Sequence, residues 1–502
     1  MSRDEIRIHY SVLIIFGAQI IGVVTGFIFT LLLTRNMLTT EYGIWSNIFD
    51  WMGYFAFLSG MFPFWVTRFI ARGEGGVVRT GLLANLTVGL ISVAFYFPLI
   101  SVITRTFSLS GIYVLVYLVG SVQVINVYLI SLFESCLRAI RPQVIGYGFL
   151  LEEVCKVMLA FVFIGIMHQV ILGAMLSVII AGLAQTLYYL RLLSWTLRQR
   201  IQWNYLKEWL KGSTAILYNA VGTQTASFTI ILLFIYGGQT ARGEYQAAAT
   251  FANVVGYSSF LAFALYPRLL ARHNLDDVAM SLKTVLMFSI PIVTVVMSMA
   301  QSLLTVLKVA YSTATPVLIL LTLDIFVVLL SQFYNSLVFG IEKLDENAKI
   351  PLRKLVRSKI FGVFTLPYVQ AAIALPTVYY VLTRLATGQS VQAAVWVIGI
   401  NLVVHLGTFL GLYAMLRESV KMPIQWRSVA RYLLASAAPA IVLYFAPHPT
   451  TLIPTFIMSV GGLAFYAVLL LAIDTEARHL TALVLQEMRK ILSGSVPKTG
   501  TG

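Results

Sequence analysis

The sequence predicts an all-α polytopic membrane protein of about 14 transmembrane helices. They are expected to form two pseudo-symmetric six-helix bundles plus two further helices. Three observations carry this reading. First, the 502 residues are 59% hydrophobic and only 11% charged, with a mean hydropathy of +0.86. A soluble domain carries about 25% charged residues. Second, apolar runs of spanning length alternate with short polar segments. Of the 35 Lys and Arg, 29 fall on the side of the N-terminus, 5 on the other side, and Lys156 inside a span. That asymmetry places both termini in the cytoplasm. Third, Glu41-Tyr42, Ile48, Gly53-Tyr54 and Phe57-Leu58 recur as Glu244-Tyr245, Phe251, Gly256-Tyr257 and Phe260-Leu261, at a constant offset of 203. A repeat of six spans, an even number, implies parallel halves related by an axis along the membrane normal.

Taken in order, the spans fall near 10–34, 42–67, 80–104, 110–137, 144–167, 170–193, 213–236, 244–267, 284–305, 313–339, 360–386, 391–416, 430–447 and 452–473. Nearly all reach the ~20 residues that a bilayer core requires. Residues 1–212 then form the first bundle, 213–416 the second, 417–473 the two additional helices and 474–502 a cytoplasmic tail. Span 1 ends at Thr34-Arg35, and span 2 opens on Glu41, an acid favoured at a helix N-terminus. The loop after span 6 holds Gln202-Trp203-Asn204-Tyr205-Leu206-Lys207-Glu208-Trp209. It reads as an interfacial amphipathic helix with Trp203, Tyr205 and Trp209 at headgroup depth. The basic loop 341–359 reads the same way. Kinks are expected at Pro63, Pro98, Pro291 and Pro316. In the tail, Leu480, Leu483, Met488 and Leu492 amid charge suggest a short amphipathic helix.

The net charge of +15 follows from basic loops and does not point to nucleic acid. The first apolar run is long enough to be an anchor, so no cleavable signal peptide is expected. Two cysteines, Cys136 and Cys155, with six scattered histidines support neither a disulfide nor a metal site. No Gly-rich loop ending in Gly-Lys-Ser/Thr is present, so nucleotide chemistry is not expected. No catalytic residues and no cofactor are predicted.

The run Leu31-Leu32-Leu33-Thr34-Arg35-Asn36-Met37-Leu38-Thr39-Thr40-Glu41-Tyr42-Gly43-Ile44-Trp45 resembles the N-terminal signature of polysaccharide flippases. These belong to the multidrug/oligosaccharidyl-lipid/polysaccharide exporter superfamily. Phe339-Gly340-Ile341-Glu342-Lys343 resembles that family's Gly-x-Glu-Lys. The resemblance implies export of a lipid-linked oligosaccharide, on a polyprenyl phosphate or pyrophosphate, across the plasma membrane by alternating access. It implies a V of two bundles around a cavity lined largely by spans 1, 2, 7 and 8. The implied partners are the glycolipid, membrane lipids and glycan assembly enzymes. Two alternatives stand beside it. One is a drug/cation antiporter of the same superfamily; the other is a polytopic glycosyltransferase, which would need acidic catalytic residues on outer loops and usually has a sizeable outer domain.

Ionisable groups inside spans are costly and so are candidate functional residues. Glu152 and Lys156, at i,i+4, share a helix face and can neutralise each other. Glu153 is then left over as a titratable acid. Asp324 lies near the middle of span 10 and either pairs with a polar group or couples to a proton. Asp50 aligns with Asn253 in the repeat, which suggests a matched cavity-facing pair. Arg35 is either a snorkelling interface arginine or a phosphate clamp, since a guanidinium fork holds phosphate bidentately. Arg68, with Arg72 and Arg138, offers the same chemistry at the inner mouth. Asn219 and Gln224 join Gln19, Asn47, Gln123, Asn126 and Gln246 as amides suited to sugar hydroxyls or to interhelical hydrogen bonds. His405 and His168 read as packed or interfacial.

Overall fold

The computed structural model describes residues 3–109, 111–258, 275–341, 358–417, 426–475 and 477–478. Among them no strand occurs, and helix follows helix as hydropathy predicts. The second half of predicted span 8, with Phe260-Leu261, Arg268 and Arg272, lies outside the described residues. So do most of the basic loop (342–357) and the expected tail helix beyond residue 478.

Twelve stretches among the described residues are long and apolar enough to cross a membrane. The difference from fourteen has a local explanation. Predicted span 5 is fully helical, as Gln143–Ala160 continued by a π-turn at Phe161–Ile166. Its three charges, Glu152, Glu153 and Lys156, lower its apolar character. Predicted spans 7 and 8 begin within one 43-residue stretch, Thr214–Gly256. At 1.5 Å per residue that is roughly 65 Å, about twice a bilayer core. Gly238 divides it, with φ 92° and ψ 169°, a region open essentially to glycine alone.

The chain forms two compact units, residues 2–246 with 342–400 and residues 247–341 with 401–502. In the first, α1 (Arg3–Asn36) is followed by α2 (Thr39–Ala56), a 3₁₀ turn at Phe57–Gly60, and α3 (Met61–Ala71). Then come α4 (Val77–Thr106), α5 (Gly111–Ile140), α6 (Gln143–Ala160) and α7 (Val170–Leu193). A short α8 (Trp203–Gly212) leads to α9 (Thr214–Ala226), α10 (Phe228–Leu232) and α11 (Gly238–Gly256), of which residues 238–246 belong to this unit. Helix α1 packs on α6, α6 on α7, α7 on α5, and α5 on α3 and α4. Lipid supplies little hydrophobic drive between helices, so packing and interhelical hydrogen bonds hold such a bundle. Tyr117 donates to Asn47 Oδ1 at 2.8 Å, and Asn85 Nδ2 donates to the Tyr128 carbonyl at 2.6 Å. Asn126 Nδ2 donates to Gln123 Oε1 at 3.1 Å. Asn47 and Asn126 are thus used as packing groups.

Glu41 caps α2. Its Oε2 accepts the Leu38 N–H at 2.9 Å, and Tyr113 donates to its Oε1 at 3.3 Å. The expected dipole-favoured acid is therefore also a hydrogen-bonded cap. Helix α8 is not simply interfacial. Trp203 is 59% exposed, but Trp209 is fully buried, against Phe62 and Phe69 of α3. Trp209 is a core anchor, because the loop folds back onto α3 and the turn before α4. Trp65 Nε1 donates to Ser213 Oγ at 2.9 Å, and Tyr205 donates to Glu74 at 2.8 Å. The Gly76 N–H donates to Gln199 Oε1, and the Gln202 N–H to Thr80 Oγ1 at 2.9 Å.

The remaining helices are α12 (Leu275–Ser298), α13 (Ala300–Leu307), α14 (Thr315–Ile341), α15 (Lys359–Arg384), α16 (Ser390–Arg417), α17 (Trp426–Phe445) and α18 (Leu452–Ile473). Helix α15 joins the first unit by packing on α9 and α10. Its Ser358 cap accepts the Phe361 N–H at 3.3 Å. In the second unit α12 packs on α17, α14 and α18, and Tyr466 donates to the Met287 carbonyl at 2.8 Å. Pro98 and Pro291 lie inside helices as expected. Pro316 is instead the second residue of α14, where a missing N–H costs nothing, so it initiates rather than kinks. Asp474, expected to open the tail, is buried and 3.7 Å from Arg431.

Candidate functional site

Where α3, α5, α6 and α7 meet, they line an open cavity of about 620 Å³. Its lining follows from helical spacing. Gln123, Glu134 and Arg138 descend one face of α5, and Arg68 faces them from α3. Glu152 enters from α6 and Gln185 from α7. The Arg68 guanidinium lies 3.6 Å from the Phe64 ring centroid, and its Nη1 donates to the Phe64 carbonyl at 3.2 Å. That stacking orients the planar fork. Glu134 and Arg138 are one turn apart, and Glu152 and Tyr189 lie beside Glu134. Two guanidiniums, two carboxylates, two amides and the hydroxyls of Thr67, Ser131 and Ser135 therefore share one space. Such a set can hold a polyhydroxylated ligand bearing an anionic group, because carboxylates accept from hydroxyls while arginines take phosphate oxygens.

A second constellation joins α2 to α11. Arg242 Nε donates to Asp50 Oδ2 at 2.7 Å, and Nη2 donates to Oδ1 at 2.8 Å. Nη1 donates to Gln246 Oε1 at 3.0 Å. The Arg242 side chain is 4% exposed and that of Asp50 17%. The helices come close because both are glycine at the crossing. A Cβ on Gly43 would stand 1.8 Å from the Gln239 carbonyl oxygen, and one on Gly243 would stand 2.2 Å from that of Thr39.

The charges of α6 are paired differently from the expectation. Lys156 bonds Glu153 at 2.5 Å across i,i+3, not Glu152 across i,i+4. Thr25 of α1 donates to the second Glu153 oxygen at 2.7 Å, which selects Glu153 as the partner. The acid left over is thus Glu152, and it lines the cavity. In the other unit, His405 Nδ1 lies 2.7 Å from Asp324 Oδ1. The histidine expected to be packed or interfacial is thus a polar partner of Asp324, the first of the two readings left open for that acid.

The other predicted residues are dispersed. Arg35 is exposed at the end of α1, Asn253 is exposed on α11, and Asn219 is half-buried on α9. Gln224 accepts the Tyr54 hydroxyl at 2.6 Å through its backbone carbonyl. Asp50 meets Arg242 within its own unit, so its charge is answered by an arginine rather than matched with an amide. Sequence reasoning missed Glu134 and Arg242. Glu134 was detectable as an acid inside predicted span 4, one turn before Arg138. Arg242 fell just ahead of predicted span 8 and read as a loop charge. Among the described residues, no group of His, Cys, Asp and Glu could hold a metal ion.

This architecture defines the class: an all-helical, multi-pass membrane protein. No protein-family model and no curated protein matches the sequence. Solved structures do. The chain is similar to the inward-closed lipid II flippase MurJ, with a TM-score of 0.61 and 14% identity, covering 92% of this chain and 98% of that one. An inward-facing multidrug resistance MATE family transporter of the MOP superfamily aligns with a TM-score of 0.58 and 13% identity, covering 79% and 96%. A MOP superfamily transporter from Pyrococcus furiosus aligns with a TM-score of 0.54 and 13% identity, covering 83% and 96%. At these identities the likeness is one of fold.

Proposed function

We propose that the protein is a flippase that carries a lipid-linked oligosaccharide across the plasma membrane by alternating access, without enzymatic chemistry. The observation that carries this reading is the cavity, with Arg68 and Arg138 beside Glu134, Glu152, Gln123 and Gln185. The arginines take the lipid phosphate or pyrophosphate, and the carboxylates and amides take sugar hydroxyls. The basic end of the bundle is the cytoplasmic end, where such a lipid is assembled. The cavity lies wholly within the first half, between residues 60 and 185, so the headgroup is loaded on that half, and rocking of the halves 1–212 and 213–416 then carries it past the α2–α11 crossing. The Asp50–Arg242 pair and the Gly43/Gly243 crossing hold the opposite end closed until then. Arg35, exposed at that opposite end, meets the phosphate on departure.

One observation favours the antiporter reading. Glu134 and Glu152 place two carboxylates where a drug cation could sit. Arg68 and Arg138 offset them, so the cavity is balanced in charge and better suited to a sugar phosphate than to a cation. The test is reconstitution with a fluorescent polyprenyl-linked sugar and measurement of headgroup movement between leaflets. A lost charge-assisted contact costs about 1.5–3 kcal/mol, so Arg68→Ala should slow movement about 10- to 100-fold. Arg384→Ala, at the exposed end of α15, should leave it unchanged. Unaltered flipping in Arg68→Ala removes the assignment of the site. Drug efflux with a stationary glycolipid removes the function.

A further inference from the structure

The segment joining α7 to α9 presents a surface that transport itself does not require. Trp195, Trp203 and Leu210 are 60%, 59% and 50% exposed. Arg198, Arg200, Lys207 and Lys211 beside them are also exposed. On α8, Trp203, Lys207, Leu210 and Lys211 follow i, i+4, i+7, i+8 spacing and form one face. Glu208 is the only acid on α8, and Glu74 nearby is engaged by Tyr205. The segment lies between two spans, so this face meets the membrane surface. A helix that exposes tryptophan and leucine among lysines lies in the headgroup region and is drawn to negative lipid.

The other face of α8 is fixed to protein. Trp209 is buried against Phe62 and Phe69 of α3, and Ser213 accepts the Trp65 indole N–H. Helix α3 in turn supplies Pro63, Phe64, Thr67 and Arg68 to the cavity. We infer that the exposed face of α8 is a binding surface for anionic phospholipid headgroups. Lipid seated there holds α3 through Trp209, and so sets the position of Arg68. This inference does not depend on the glycolipid reading, since it concerns a surface outside the cavity.

The experiment uses the full-length protein in nanodiscs that contain brominated lipid, with tryptophan fluorescence as the readout. Brominated phosphatidylglycerol should quench more than brominated phosphatidylcholine at equal mole fraction. Trp195→Phe/Trp203→Phe should abolish that difference, because the anion-selective quenching arises at those two rings. Arg200→Gln/Lys207→Gln/Lys211→Gln should weaken the anionic preference by about five-fold or more per charge at low salt. Arg200→Lys/Lys207→Arg/Lys211→Arg should keep it. Lys343→Gln/Lys354→Gln/Arg357→Gln, which removes the same charge elsewhere, should leave it intact. High salt should suppress the preference in the parent protein, which tests the same point should the Gln triple not fold. Equal quenching by the two lipids in the parent overturns the inference. So does a collapse in the control triple as large as that in the α8 triple, since bulk charge then suffices.

Discussion

Asp50→Ala removes one arm of the pair that joins α2 to α11 and leaves a guanidinium only 4% exposed without its carboxylate. Breaking a fully buried pair on one side costs about 3–5 kcal/mol. Asp50 is 17% exposed and Gln246 still accepts from Nη1, so the lower end, about 3 kcal/mol, applies. Since about 1.4 kcal/mol is a factor of ten, the equilibrium between joined and separated helices should shift by about 100-fold. A thiol reports the shift. Ser46, one turn from Gly43, is 3% exposed. In a background with Cys136 and Cys155 replaced by serine, Ser46→Cys should resist maleimide in the purified protein. Adding Asp50→Ala should raise its labelling rate by up to about 100-fold. Asp50→Leu/Arg242→Met should restore protection, because an apolar pair of similar volume replaces a buried ion pair at little cost. Labelling that is unchanged in Asp50→Ala refutes the Asp50–Arg242 pair as a latch between α2 and α11. Labelling that stays high in the apolar double variant shows that charge, not closure, governed the thiol.

Four further outcomes are expected. Gly43→Ala places a methyl 1.8 Å from the Gln239 carbonyl oxygen and should raise Ser46→Cys labelling at least as much as Asp50→Ala; protection equal to the parent's would contradict the crossing. Glu153→Gln should lower the midpoint of thermal unfolding while Glu152→Gln leaves it unchanged, since only Glu153 holds Lys156 and Thr25; the reverse order would restore the i,i+4 pairing. Trp65→Phe should cost about 1 kcal/mol through the lost bond to Ser213, read as a lower midpoint that Ser213→Ala does not lower further. Tyr205 has its pKa raised, chiefly by donating to Glu74. Its contribution is complete below the ordinary tyrosine value and is lost as pH rises through the raised one. The Tyr205–Glu74 bond should therefore hold at neutral pH and loosen only in strong alkali, and loosening near pH 7 by tyrosine absorbance would exclude it.

Hydropathy made the helices legible because a bilayer imposes length and composition on every span at once. The span near 360–386 is one continuous helix, Lys359–Arg384, although it contains Pro367 and Pro376. The constellations were legible only where spacing along one helix decided them. Glu152 and Glu153 both lie within reach of Lys156, and the choice was made by Thr25, 128 residues away. For Asp324 the sequence leaves pairing and proton coupling both open, and nothing local identifies His405, 81 residues on. Arg68 was chosen for its chemistry and lines the cavity. Trp209 was misread because an amphipathic helix has two candidate apolar surroundings, lipid and protein. Only the fold-back onto Phe62 and Phe69 distinguishes them.

The repeat itself explains why the latch was hidden. At the offset of 203, Gly43 aligns with Gln246 and Asp50 with Asn253. The tight crossing joins Gly43 to Gly243 instead, an offset of 200. The difference of three residues is nearly one helical turn, about 4.5 Å of rise. The structural crossing has thus slipped by a turn relative to the sequence repeat, and the residue that answers Asp50 comes from ahead of the copied segment. Arg242 aligns with Thr39, a residue of α2's first turn with no charge. Neither member of the pair has a charged counterpart in the other copy, so the two halves cannot form this contact reciprocally. Identical glycines let the helices meet, and the unshared Asp and Arg hold them together.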